Sequence, residues 1–280
     1  VIPCLFVSDL HGHTERYERL AAAIAEERPS AVFLGGDLLP SFGAAADFLE
    51  DVVAGTLERL RDQLREHYPE VFVILGNDDG QAPEEALLEM SARGLCTYLH
   101  GRRAILGAFT VFGYAYVPPT PFLLKDWERY DVSRYVDPGC VPPEEGRHSV
   151  PVSKRELRNA TIAKDLERLV SDGDVARAVL LFHSPPYQTK LDRAGLDGQS
   201  IDHVPLDVHV GSIAIRRFIE QRQPWLTLHG HVHESPRLMG SWRDELGETV
   251  MLSAAHDGPE LALVRFDLEQ PQQATRELIQ

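Results

Sequence analysis

The chain has 280 residues, 43% of them hydrophobic and 25% charged, which is apolar material enough for one large α/β domain or two small ones. Its 28 Lys and Arg against 43 Asp and Glu leave a net charge of −15, which argues against long duplex nucleic acid as a partner. Three widely spaced cysteines, Cys4, Cys96 and Cys140, form no C-x-x-C pair and fit a reducing cytoplasm. No apolar run reaches the roughly 18 residues of a membrane span, and a strand-like segment opening almost at Val1 leaves no signal peptide to expect.

Residues 2–7 are an apolar run ended by Ser8-Asp9, and over 14–27 the apolar Tyr17, Leu20, Ala21 and Ile24 recur at helical spacing. This predicts strand, loop, helix. Residues 31–34 predict a second buried strand closed by Gly35-Gly36-Asp37, followed by a long helical pattern through Phe48, Val52, Leu57, Leu60 and Leu64. A third strand over 71–75 is closed by Gly76-Asn77, and a helix over 83–93 follows. Repeated β-α alternation predicts parallel strands whose C-terminal ends share one edge, where open α/β sheets place ligands.

Beyond Cys96 the runs 96–99, 103–106 and 109–114 predict an antiparallel meander. Residues 117–152, rich in Pro, charge and aromatics, predict a long surface excursion or cap with a short helix near 123–130. Ser153-x-x-Glu156 is a capping-box signal for a helix carrying Leu157, Ile162, Leu166 and Leu169 on one face. Further strands are expected over 175–182, 225–228, 249–253 and 261–266, and a helix over 211–221. With no repeat, low-complexity tract or linker, 1–280 is expected to be a single domain.

The chemistry sits in Asp9-Leu10-His11, Gly36-Asp37, Gly76-Asn77-Asp78-Asp79, His183 and His229-Gly230-His231-Val232-His233. Each is an ordinary loop or structural residue when taken alone. Together, five strand ends each deliver Asp, Asn or His, the O and N ligands that suit Mn, Fe and Zn. The glycines before Asp37, Asn77 and His231 permit tight turns that aim the next side chain outward.

In this order the blocks resemble those of the calcineurin-like metallophosphoesterase superfamily, D-x-H, G-D, G-N-H-D/E, a lone His and G-H-x-H, from Asp9 to His233. His183-Ser184-Pro185-Pro186, His209-Val210-Gly211-Ser212 and the stretch from His229 to Ser235 also resemble an uncharacterised microbial phosphoesterase subgroup. The resemblance implies a four-layer α-β-β-α sandwich with two mixed sheets and a metal site at strand C-terminal ends. It further implies one divalent ion on Asp9, His11, Asp37 and His233 and a second on Asp37, Asn77, His183 and His231, so that Asp37 bridges. Two such ions about 3.5–4 Å apart would lower the pKa of a bridging water and neutralise the ester oxygens, and the bridging hydroxide would attack phosphorus. Mn, Fe or Zn all fit this donor set.

The departure from the family pattern is Asp78, where the family has a His expected to protonate the leaving group. An ionised Asp is acceptor-only and a poor acid, so Asp78 is expected to orient a ligand or solvent, with His13 a candidate substitute or phosphate contact. His203, His209 and His256 are further candidates for lining the site, Lys125, Arg129 and Arg193 for binding phosphate, and Tyr114, Tyr116, Phe122 and Trp127 for stacking on a base. The expected function is cytoplasmic hydrolysis of small phosphomonoesters or phosphodiesters, nucleotides among them, with no membrane partner. A metal-binding interaction scaffold with little catalysis and a protein phosphatase are the alternatives.

Overall fold

The computed structural model describes residues 1–40, 45–171 and 173–280. Along the chain the strands are β1 (Pro3–Val7), β2 (Ala31–Gly35), β3 (Glu70–Ile74), β4 (Thr97–Tyr98), β5 (Arg103–Leu106), β6 (Phe109–Tyr114) and β7 (Ala178–Phe182). They continue as β8 (Ser200–Ile201), β9 (Val204–Pro205), β10 (Leu226–His229), β11 (Arg243–Leu246), β12 (Thr249–Ser253), β13 (Leu261–Asp267) and β14 (Thr275–Ile279).

Two six-stranded sheets result, ordered β14-β13-β1-β2-β3-β4 and β11-β12-β10-β7-β6-β5. In the first, β1 to β4 run parallel, and β13 pairs antiparallel with both β1 and β14. In the second, β6, β7, β10 and β12 run parallel between the antiparallel edges β5 and β11. Both sheets are mixed. Their inner faces meet in one core that joins Val7 and Val73 to Val179, Leu181 and Leu228. Tyr17, Leu20 and Ile24 of helix Thr14–Glu27 and Leu57 and Leu60 of helix Gly55–Leu64 cover the first sheet. Helices Ile162–Val170 and Ile213–Arg222 cover the second, burying Ile162, Leu166, Ile215 and Ile219 against Leu180 and Phe182. The architecture is the α-β-β-α sandwich, because each parallel strand is buried on both faces and needs a helix layer outside it.

Four local expectations change. The run after Cys96 is no meander: β4 pairs parallel with β3, and β5 and β6 belong to the other sheet. The chain crosses between sheets at His100-Gly101, where a Cβ on Gly113 would lie 2.5 Å from that of Leu99. Residues 123–130 form no helix. Lys125, Trp127 and Glu128 are all buried there, because the Lys125 ammonium is neutralised by Glu128 and also donates to the Thr120 carbonyl at 2.8 Å. The Ser153 side chain caps nothing, and the expected helix is two: Lys154–Asn159, then Ile162–Val170, whose true cap is Thr161 accepting from Lys164 N. The edge strands β11 and β14 lacked an apolar signal, since both are exposed or half-buried throughout and carry charged residues at the sheet margin.

Candidate metal centre

Parallel pairing Val7↔Leu34 aligns the ends of β1 and β2, so the loops bearing Asp9 and Asp37 emerge side by side. Asp9 N donates to Gly36 O at 2.9 Å and His11 N to Asp37 O at 2.8 Å, which locks the two loops together. Asn77 follows β3 and His183 follows β7, while Gly230 N donates to His183 O at 2.9 Å and so fixes the loop after β10 against it.

The side chains converge. His11 Nε2 lies 3.1 Å from His233 Nε2, which is 3.3 Å from Asp9 Oδ1. His183 Nε2 lies 3.2 Å from Asp37 Oδ2 and 3.1 Å from Asn77 Oδ1. Two groups emerge, Asp9-His11-Asp37-His233 and Asp37-His183-His231, each with ligand atoms within 4.8 Å of one another. Asp37 belongs to both. Nδ1 of His183 sits 2.8 Å from Gly35 O, which leaves Nε2 as the atom turned to the centre.

The backbone is strained where the ligand atoms meet: φ is 57° at Asp9, 48° at His11, 51° at Asp37 and 73° at His231. Left-handed non-glycine residues cost of order 1–3 kcal/mol each and cluster at functional sites. Gly76 and Gly230 serve close approach rather than turning. A Cβ on Gly76 would lie 2.3 Å from Asp37 Oδ1, and one on Gly230 2.8 Å from Asp9 Oδ2.

Electrostatics test whether this donor set fits cations. Burial opposes ionisation of Asp9 and Asp37, yet the surrounding histidines outweigh it and hold both carboxyls below their ordinary pKa. The counter-charges the chain itself can offer are imidazole protons. Burial would lower His183 and His233, but Asp37 and Asp9 drive them up to about 10 and about 9. His231, desolvated and beside His183, drops to about 3. Two buried carboxylates that hold imidazolium partners form a site that draws positive charge, which divalent ions would supply by displacing those protons. The residues fit.

Four supporting residues lie outside the set of expected ligands. Asp79 is fully buried and accepts from Leu38 N at 3.0 Å, Leu39 N at 2.8 Å and Gly76 N at 2.9 Å, which ties the Asp37 loop to the Asn77 loop. Arg16 reaches under the Asp9 loop, donating to Asp9 O and Gly258 O, both at 2.7 Å. Ser8 Oγ donates to Asp9 Oδ2. His229 points away from the centre, stacks on Phe182 and bridges Ser184 O and Thr227 Oγ1. A His or Asp beside the ligand blocks is a usable hint of such support; Arg16 looks like any helix-surface basic residue.

Asp78 lies beside the centre: its N–H donates to Asp37 Oδ1 at 2.8 Å and its Oδ2 is 3.6 Å from His11 Nδ1. Burial, then Asp37, raise its pKa. A cleft of about 740 Å³ opens from Asp37, Asn77, Asp78, His231 and His233. His209 lines it, with Nδ1 held 2.8 Å from buried Asp192, and so does Phe122. His13, His203 and His256 lie outside its lining; His13 is the exposed N-cap of helix Thr14–Glu27, and His256 pairs with Glu260 at 2.9 Å. Lys125, Arg129 and Arg193 are also outside, engaged with Glu128, Asp165 and Asp197. Tyr114, Tyr116 and Trp127 pack around His100 rather than forming a wall of the cleft.

A two-sheet sandwich with Asp, Asn and His gathered at the C-terminal edge defines a metal-dependent hydrolase class. The chain belongs to the calcineurin-like phosphoesterase family, whose description matches residues 2–235. It is therefore a metal-dependent phosphoric ester hydrolase. TT1561 of Thermus thermophilus shares the fold at 17% identity and a TM-score of 0.61, with all of both chains covered. A dimetal phosphatase from Danio rerio is 12% identical over 95% of this chain and 92% of its own, at a TM-score of 0.49. An archaeal phosphodiesterase is 10% identical over 99% of each chain at 0.44. No curated protein matches the chain. Among the described residues no helix is long and apolar enough to cross a membrane.

Proposed function

We propose that the protein hydrolyses small phosphate esters with two divalent ions, one held by Asp9, His11, Asp37 and His233 and the other by Asp37, Asn77, His183 and His231. The observation that carries this reading is the membership of Asp37 in both ligand groups. When bound, such ions supply Lewis acidity and a water of lowered pKa close to the ester phosphorus. The chain's own part is positional. The Gly35 carbonyl orients His183, Asp79 fixes the two loops, and the Asp78 N–H holds the Asp37 carboxylate in register. Asp78 is read as orienting solvent or ligand at the cleft floor, and His13 is set aside by its place outside the lining.

We read 1–280 as one domain, with 117–152 as a cap along the cleft. Its three cysteines, all free, suit the cytoplasm. The test is a p-nitrophenyl ester with Mn²⁺ added: wild type turns over, and Asp37→Ala loses both turnover and one or more equivalents of bound metal. Full activity in that variant would remove the bridge; no metal-dependent turnover by wild type on a broad ester panel would favour a binding scaffold.

A further inference from the structure

The cleft is much larger than a phosphoryl group. At about 740 Å³ it falls in the roughly 300–1,000 Å³ range of small-molecule sites, which leaves room for an organic arm beside the phosphoryl group. Its lining is unusual for an enzyme acting on phosphates. Among the described residues it contains no Lys or Arg, whereas Asp78, Asp131, Asp137, Asp207 and Glu234 all contribute to it.

Most of the remaining lining is apolar, and its large side chains come from two segments. Phe122, Val132 and Tyr135 stand on the excursion after β6, and Leu196, Ile201 and Leu206 on the segment between β7 and helix Ile213–Arg222. The two segments touch where Ile201 lies over Gly139. A Cβ on Gly139, whose φ is 84°, would come 2.3 Å from Ile201 Cδ1. Phe122 and Tyr135 remain 60% and 68% exposed, apolar surface that an incoming ligand would cover. The neighbouring cations are each engaged elsewhere: Lys125 is buried on Glu128, Arg129 is held between Asp165 and the Tyr116 ring, Arg134 pairs with Glu144 and Arg193 with Asp197.

Resting on the phosphoesterase reading, we propose that the substrate is a phosphodiester whose second arm is uncharged and largely apolar, seated between these two walls. A diester brings one negative charge to the centre, a monoester about −1.5 to −2 at neutral pH. Bound ions can meet charge on the phosphorus, but charge on the arm would lie among carboxylates with no Lys or Arg of the lining to answer it. Polyphosphorylated nucleotides are rejected for that reason. Hydrolysis consumes one water, whose oxygen joins phosphorus as the ester P–O bond breaks and the departing oxygen takes up a proton.

The test holds the leaving group fixed and varies the arm. With Mn²⁺, kcat/KM is measured for p-nitrophenyl esters carrying a benzyl, a 4-carboxybenzyl or a methyl arm, and for the p-nitrophenyl monoester. Benzyl should exceed each of the other three by about tenfold or more, the scale of a modest apolar contact or one unanswered charge. Tyr135→Ala and Ile201→Ser should each bring benzyl down towards methyl through KM. Asp137→Lys should raise the carboxybenzyl ester about tenfold relative to the benzyl ester. Equal rates for benzyl and methyl, or a preference for the carboxybenzyl ester or the monoester, would overturn the proposal while leaving the phosphoesterase reading intact. Absence of turnover on all four would overturn both.

Discussion

The backbone N–H of Asp78 donates to Asp37 Oδ1 at 2.8 Å, so the residue that departs from the family pattern is fastened to the carboxylate both ligand groups share. That bond is made by the main chain and survives any side chain at 78. Asp78→His should therefore keep the centre intact and put an imidazole at the cleft floor. Turnover on alkyl leaving groups should rise about 10²-fold, at the low end of general acid catalysis, with nitrophenyl esters changed little. Equal effects on both leaving groups would show that position 78 has no acid role to restore.

Asp79 holds the two loops from below. In Asp79→Asn one acceptor oxygen becomes an N–H₂ facing the Leu38, Leu39 and Gly76 N–H groups. Metal affinity should fall about 10–100-fold, the usual scale for partners that orient ligands, while the circular dichroism spectrum stays as in wild type. Metal titration of the two proteins side by side decides this.

The buried pair Lys125–Glu128 anchors the excursion that forms one cleft wall. Lys125→Met strands a buried carboxylate and should cost about 3–5 kcal/mol in urea unfolding. Adding Glu128→Leu should recover much of that loss. A single variant as stable as wild type would show that the pair contributes no net stability.

Stability should fall in acid for a reason outside the metal centre. His100 is half-buried among Tyr114, Tyr116 and Trp127, accepts from Ala115 N at 3.0 Å, and desolvation pushes its pKa down to about 3. An unfolded His titrates near 6.5, so below that pH the unfolded chain takes up a proton the native one refuses. The stabilisation is present above about pH 6.5 and is lost as pH falls towards 3, by about 2 kcal/mol at pH 5. His229, pushed by burial to about 4, adds in the same direction. Urea unfolding at pH 7 and pH 5 measures the slope, and His100→Asn should flatten it.

The strands that carry the centre were legible because parallel strands buried on both faces read as unbroken apolar runs with a polar stop. Asp9, Asp37, Asn77, His183 and His231 sit at those stops, so strand ends alone pointed to the ligand loops, though not to their division between β1–β3 of one sheet and β7 and β10 of the other. What the sequence hid were relationships across space. The partition of 96–114 between two sheets depends on Leu99 passing Gly113, a contact with no periodicity. Residues 123–130 carry helical spacing, but a buried Lys–Glu pair and Trp127 fix an irregular loop instead. The charged, partly exposed sequences of β11 and β14 look like solvated coil until a neighbouring strand is placed beside them.

The placement of β13 against β1, with Cys4 opposite Phe266, sets an order of assembly. β1 launches the loop that bears Asp9 and His11, yet one of its two neighbours lies more than 250 residues downstream, after every other candidate ligand. During synthesis β1 therefore waits with a bare flank while the rest of the centre emerges. Such distant pairing closes late and slowly. The centre should become competent to take up ions only when the final strands dock, which would make ion uptake a clock for the completion of folding.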